Sequence, residues 1–214
     1  MQTQDLIQLI SKSGNLTQVV NAARVSFGRH VTKIDDNDEK LIRYLWNHKH
    51  TSPFRHIYFT FRIKAPIFVL RQWMKHQVGC SWNEISARYV QLNNEFYLPA
   101  LWRAKSKQIK QGSKGQIKAQ SEASDLYKKA VDHAYNTYVD LLNAGVSREQ
   151  ARMILPVSIY SECYWTASLH AVMHFLSLRL DSHAQQEIRS YAEEIKQILI
   201  NEGFGLIMEL IDAD

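Results

Sequence analysis

Two cysteines in 214 residues, Cys80 and Cys163, are too few for a disulfide framework, and they form no C-x-x-C pair. The chain reads as one suited to a reducing compartment. Long apolar runs are also missing: the longest, Ala65 to Leu70, is far short of the ~20 residues that cross a bilayer. No basic segment, apolar segment and cleavage site open the chain, which argues against secretion. A cytoplasmic location is expected, or the host cytoplasm if the source is a virus. Neither βαβ alternation nor a glycine-rich phosphate loop is visible, so neither a Rossmann nor a P-loop site is expected. No internal repeat or long low-complexity segment stands out.

What is present is ordinary globular material, with 45% hydrophobic and 22% charged residues. A chain of this size buries ~70% of its unfolded surface, and residues 1–214 are read as a single domain. The net charge is +5 and the pI about 9.1. The excess is concentrated between Arg103 and Lys118, where Lys105, Lys107, Lys110 and Lys114 also fall. That stretch reads either as a solvated loop or as an anion-binding patch. Nucleic acid is not expected there, because Trp102 is the sole aromatic nearby.

The hydrophobic pattern implies an α+β fold, a small antiparallel sheet packed with long helices. Leu6 to Ile10 reads as a short strand or a poor helix. Asn15 can cap a helix to about Val25, and Asp35, Asp36, Asp38 and Glu39 open another through Leu41, Ile42, Leu45 and Trp46. Ile57 to Lys64 alternates as a half-buried strand. Pro66 suits the first turn of a helix towards Lys75, and Glu95 to Leu98 resembles a short strand. Helical periodicity runs from Ser121 to a stop at Gly145. Ser147 can cap a short helix closed by Pro156, and Thr166 to Leu180 reads as a further helix. Ser182 and Gln185 read as a capping box for the last long helix.

The stretch Arg71 to Tyr89, RQWMKHQVGCSWNEISARY, mixes cations, amides and two tryptophans. Buried polar groups need partners, so the mixture fits either a pocket for a planar, hydrogen-bonding anion or a partly buried amphipathic helix. Leu178 to Gln185, LRLDSHAQ, reads equally as a site or as helix turns and caps. His170 and His174 lie four apart, but H-x-x-x-H without an adjacent Glu is weak metal evidence, and no metal is expected. Neither cysteine has a nucleophile signature.

These residues resemble the flavin-dependent thymidylate synthases nearly end to end. The likeness is carried by NAARVSF at 21–27, SPFRHIYFTFRIKAPIFVLRQW at 52–73, NEISARY at 83–89, REQARMILP at 148–156 and LRLDSHAQ at 178–185. The family's Arg-His-Arg triplet is Lys75-His76-Gln77 here. Ser168, His170 and His174 stand where many members have Asn, Arg and Asn.

The resemblance implies reductive methylation of dUMP to dTMP. Methylenetetrahydrofolate would supply the carbon, FAD the hydride and NADPH the reduction of FAD, in a homotetramer with shared sites and no membrane. It implies Arg179 as the catalytic residue, binding the uracil edge and favouring ionisation at N3. It places Gln72, Lys75, Glu84, Ile85, Ser86, Ala87, Arg88, Arg152 and Arg179 at dUMP. For FAD it implies His50, Ser52, Lys75, His76, Gln77, Val78, Glu84, Ser168, His170, His174 and His183. Among these, Arg88 and Arg152 suit phosphate and ring recognition, and Ser86 suits a phosphate hydrogen bond, since no base is evident to activate it. Exchange of arginine for histidine and glutamine weakens the fixed positive charge offered to a pyrophosphate. The competing reading is a non-enzymatic nucleotide- or nucleic-acid-binding relative, which the basic pI would serve. The joint presence of Arg179, Arg88, Arg152 and Glu84 argues for the enzyme.

Overall fold

The computed structural model describes residues 6–106 and 112–212; Lys107 and Lys110 of the basic stretch lie outside the described residues. In chain order the elements are β1 (Ile7–Ser13), α1 (Leu16–Arg24), α2 (Asp36–Asn47), β2 (Tyr58–Pro66), α3 (Ile67–Trp73), β3 (Cys80–Glu84), β4 (Arg103–Lys105), β5 (Ser113–Gln116), α4 (Gln120–Asn143), α5 (Arg148–Ala151), β6 (Tyr160–Ser168), α6 (Leu169–Arg179), α7 (Gln186–Leu199) and α8 (Gly205–Asp212). The order is that of an α+β protein. The chain forms two compact units: one holds the residues up to Ile63, Gln72–Asn83 and Cys163 onward, the other Lys64–Arg71 and Glu84–Glu162.

The first unit is built on a four-stranded sheet in the order β1-β2-β6-β3. β1 and β2 pair antiparallel, with Ile7 opposite Ile63 and Ser13 opposite Tyr58. The alternation seen in the sequence is realised: Ile57, Phe59, Phe61 and Ile63 are fully buried, while Tyr58 and Arg62 are exposed. Pro66 ends β2 rather than beginning the helix, which starts at Ile67. β6 departs from expectation. Thr166 to Ser168 are strand, and the helix begins only at Leu169. The inward positions of β6 are Ser161, Cys163, Trp165 and Ala167, a two-residue period in which only Trp165 is large, so the pattern is too weakly apolar to stand out in sequence.

Helix α6 is buried nearly all round, at Leu169, Ala171, Val172, Met173, Phe175 and Leu176, so it is the central helix. Helices α7 and α8 pack against it. The Trp73 ring stacks on Phe175 at 4.6 Å and meets Trp165 edge-on at 5.3 Å, and Trp82 stacks on Trp165 at 5.5 Å. Trp73 is fully buried, so it belongs to the core and not to a pocket wall. Arg71 to Tyr89 is not one amphipathic helix: it comprises the end of α3, a turn, β3 and a loop.

Both N-terminal helices start as the sequence predicts. The Asn15 side chain accepts from the Thr17 N–H. Asp35 and Asp38 form a reciprocal capping box at α2, and buried Asp38 also pairs with Arg24 at 2.5 Å. The capping box expected of Ser182 and Gln185 is absent, because α7 starts from Gln185 without a side-chain cap. Arg189 closes that turn instead, donating to the carbonyls of Ser182 and Ala184 at 3.0 and 2.9 Å. Beyond α7 the chain breaks at Gly203, in the left-handed region at φ 89°.

In the second unit α4 is 24 residues long, a rod of ~36 Å. A small apolar cluster of Ala87, Leu92 and Ile159 is flanked by Ile67, Phe96 and Leu155. Of the strand expected over Glu95 to Leu98 only a single bridge forms, Phe96 to Ile159. Strands β4 and β5 make a two-stranded antiparallel hairpin. Gln120 pins its base: the side-chain amide donates to the carbonyls of Trp102 and Ile117 and accepts from the Trp102 N–H. Trp102 Nε1 donates to Ser124 Oγ on α4. The basic stretch is therefore an anchored hairpin in its described part, not a loose loop.

Candidate active site

In the first unit the structure joins two signature segments separated by about a hundred residues. Gln72, on the last turn of α3, donates to Gln185 Oε1 at 2.6 Å. Arg179, the last residue of α6, donates from Nε to His76 Nε2 at 3.0 Å. His76 sits in the turn after α3 and is only 7% exposed. Its ring meets Phe175 at 5.2 Å and His174 at 5.5 Å, both edge-on. Burial, then the Arg179 charge, then His174 push the His76 pKa down to about 4, so the imidazole is neutral near pH 7. Burial also lowers the Arg179 pKa from its ordinary value, yet a guanidinium stays charged.

His170 and His174 lie on one face of α6, the first half-buried and the second exposed. His170 is held below its ordinary pKa by burial, then by Arg55 and His174. Arg55 is a contributor that the sequence did not single out; its guanidinium donates to Thr51 Oγ1 at 3.0 Å. Ser168 is buried and its hydroxyl caps α6, accepting from the Ala171 N–H. The turn carrying Lys75, Gln77 and Val78, all exposed, packs tightly on that cap. Gly79 has φ 73°, its carbonyl accepts from the Ser168 N–H, and an added Cβ would meet Ser168 Oγ at 2.9 Å. His50 and Ser52 are exposed beyond α2. His183 is exposed, and Asp181 Oδ1 accepts its backbone N–H at 2.7 Å and lies 2.9 Å from Nδ1. Those contacts hold the Asp181 carboxyl below its usual range.

The second unit carries the other group. Glu84 Oε1 accepts from Ser161 Oγ at 2.5 Å. Ile85 N–H donates to the Glu162 carbonyl. Ser86 Oγ accepts from the Arg88 N–H, and exposed Arg88 lies 3.4 Å from Glu149. Ala87 is buried in the apolar cluster, and Arg152 is exposed at the turn after α5. Ser161, Glu149 and Gln185 were missed as partners. Glu149 and Gln185 lie inside motifs already singled out, but nothing in a linear pattern pairs them. The first unit thus offers a held guanidinium and an amide, and the second two exposed guanidinium groups beside a hydroxyl, donors that suit a planar anion.

A cavity of about 520 Å³ lies beside the NAARVSF segment in the first unit, lined among others by Gln18, Asn21, Arg29 and His56. Asn21, itself on the lining, makes two hydrogen bonds to the Val31 backbone. Among the described residues no three His, Cys, Asp or Glu side chains gather as a metal site. No helix there is long and apolar enough to cross a membrane.

Comparison with known proteins shows the family and the fold. The family model described as thymidylate synthase complementing protein matches residues 8–202. A flavin-dependent thymidylate synthase of Thermus thermophilus is 47% identical over 193 residues, covering 90% of this chain and 70% of that protein. One from Thermosipho africanus is 44% identical over 197 residues, covering 90% of this chain and 84% of that protein. The crystal structure of the UMP/dUMP methylase PolB from Streptomyces cacaoi, bound with 5-Br dUMP, superposes with a TM-score of 0.86. It is 34% identical, covering 97% of this chain and 94% of that one.

Proposed function

From the premise that this chain belongs to the thymidylate synthase complementing protein family, we propose that it is a flavin-dependent thymidylate synthase, converting dUMP to dTMP. The observation that carries the reading is the junction of Gln72 with Gln185 and of His76 with Arg179. The second contact supports it most, because it joins His76, which the family resemblance marks for flavin, to Arg179, which it marks for the pyrimidine. Methylenetetrahydrofolate is the proposed carbon donor and NADPH the reductant.

Arg179 is a fixed cation with a planar donor edge. Its work is to hold the uracil ring and favour loss of the N3 proton, stabilising negative charge in the pyrimidine. Gln72, held by Gln185, presents an amide to the ring edge. Lys75, Arg88 and Arg152 supply cations for the nucleotide phosphate and ring. Ser86 offers a hydroxyl to the phosphate, while Ile85 and Ala87 shape the wall. Glu84, fixed by Ser161, accepts from substrate or from a neighbouring donor.

The residues present fit FAD. His170 and His174 share one face of α6, with Arg55 acting on His170, and exposed Lys75 adjoins His76, whose ring lies 5.5 Å from that of His174. These donors suit a pyrophosphate. His50, Ser52, His76, Gln77, Val78, Glu84, Ser168 and His183 complete the set proposed to hold it. Ser168 acts there through the helix end that it caps. When bound, FAD supplies the hydride that completes the methyl group. The chain's residues orient the nucleotide and exclude water.

The exposed side chains of Val25, Phe27, Tyr89 and Met153, each more than 70% accessible, support a homotetramer that covers them and shares sites between subunits. Residues 1–214 are taken as one synthase domain acting in the cytoplasm. The test is an absorbance spectrum with added FAD, followed by anaerobic NADPH and dUMP. Bleaching of the flavin band, then dTMP once methylenetetrahydrofolate is added, is the expected result. A folded protein that neither holds nor bleaches FAD would overturn the reading.

A further inference from the structure

We propose that His76 is the positioning residue for Arg179, accepting the Arg179 Nε–H at its Nε2 so that the two terminal nitrogens are left, pre-aimed, for the pyrimidine. The inference rests on the reading that Arg179 holds the uracil ring.

The chemistry of the pair fixes the protonation state. A guanidinium has five N–H donors and no acceptor, so a ring nitrogen 3.0 Å from Arg179 Nε must present a lone pair. His76 is therefore the tautomer with its proton on Nδ1. A protonated ring would turn the contact into two facing donors of like charge. The groups that face His76 agree. Arg179 and His174 both disfavour a second cation there, and burial does so more strongly than either. Phe175 stands edge-on to the ring at 5.2 Å and limits its rotation.

The geometry of the guanidinium then says what remains. With Nε–H occupied, the donor edge that includes Nε is closed. The opposite edge, between the two terminal nitrogens, stays open and presents two parallel N–H groups. That fork matches adjacent acceptors in a plane, as in a uracil that has lost its N3 proton, where N3 lies between two carbonyl oxygens. An arginine at the end of a helix otherwise samples many rotamers, and ordering it on binding costs affinity and alignment. His76 removes that freedom before substrate arrives. It also follows that His76 has only its Nδ1–H left to offer a flavin, so its main service is to Arg179.

The test uses the full chain with His76→Leu, which removes the acceptor, and His76→Gln, whose amide oxygen can accept again. In ¹⁵N-labelled protein the Arg179 Nε–H should appear as a slowly exchanging resonance at pH 7. It should be lost in His76→Leu, be retained in His76→Gln, and fade in the wild type as pH falls towards about 4. With saturating FAD, His76→Leu should lower kcat roughly ten- to a hundred-fold, raise the KM for FAD by a smaller factor, and be rescued in large part by His76→Gln. Two results would overturn the proposal: an Arg179 Nε–H resonance indifferent to His76, or a wild-type kcat in His76→Leu with FAD affinity alone reduced. The second would make His76 a flavin anchor. Should His76→Leu fail to fold, His76→Gln and the wild-type pH series decide. Failure of the thymidylate synthase reading shows separately, because the wild type would then form no dTMP while the resonance arm still reports on the pair.

Discussion

At the scale of the residue, the site depends on a few side chains whose partners are fixed before any ligand arrives. Arg179→Ala should abolish dTMP formation, a loss of at least a hundred-fold in kcat, while FAD stays bound. Single-turnover product assay alongside flavin absorbance checks both parts. Cys80→Ala and Cys163→Ala should both keep their activity, because hydride delivery removes the need for a thiol nucleophile. Burial also raises the Cys80 thiol pKa from its ordinary value, opposite to what a nucleophile needs, and dUMP turnover in the two variants tests this. His76 and the motif around Ser86 stood out in the sequence because charged and polar groups there were interleaved with tryptophans, whereas Arg179, in a segment that read equally as helix turns and caps, was marked by the family resemblance. Their partners were not legible. Glu149 beside Arg88 and Ser161 beside Glu84 come together only through the folded chain, and no periodicity carries that information.

At the scale of the element, legibility followed the strength of the local signal. The β2 alternation of Ile57, Phe59, Phe61 and Ile63, the cap at Asn15 and the acidic opening of α2 were readable because large apolar side chains, short acceptors and clustered charge act within a few residues. Strand β6 was not, since its buried face includes Ser161, Cys163 and Ala167 and its Thr166 to Ser168 end flows straight into an apolar helix. The α7 entrance was misread because Ser182 and Gln185 have the right spacing for a capping box, but Arg189 closes the turn through backbone carbonyls. Asp38 shows how much one position can carry: it completes the α2 capping box and holds Arg24 while 1% exposed. Asp38→Ala should cost about 3 kcal/mol, since it leaves a half-buried guanidinium without its partner. Urea denaturation against the wild type measures this.

At the scale of the whole molecule, protons and charge set the working conditions. The His76 pKa lies at about 4 in the folded chain against an ordinary 6.5. Between those values the unfolded chain takes up a proton that the folded chain refuses. Stability should therefore be fully present above about pH 6.5 and fall as pH drops towards 4. The half-buried His170 shifts in the same direction. Urea midpoints between pH 7.5 and 4.5 should show the decline, and His76→Gln should flatten it. The hairpin of β4 and β5 has a different consequence. Residues 103–118 hold six cations and no carboxylate, so the remainder of the chain has twenty Lys and Arg against twenty-one Asp and Glu. Four of those six, Arg103, Lys105, Lys114 and Lys118, are among the described residues and lie on or beside an arm fastened at its base by Gln120 and Trp102. Exchange of those six cations for glutamine should take the net charge from +5 to about −1 and reverse the direction in which the native protein migrates through a gel at pH 7.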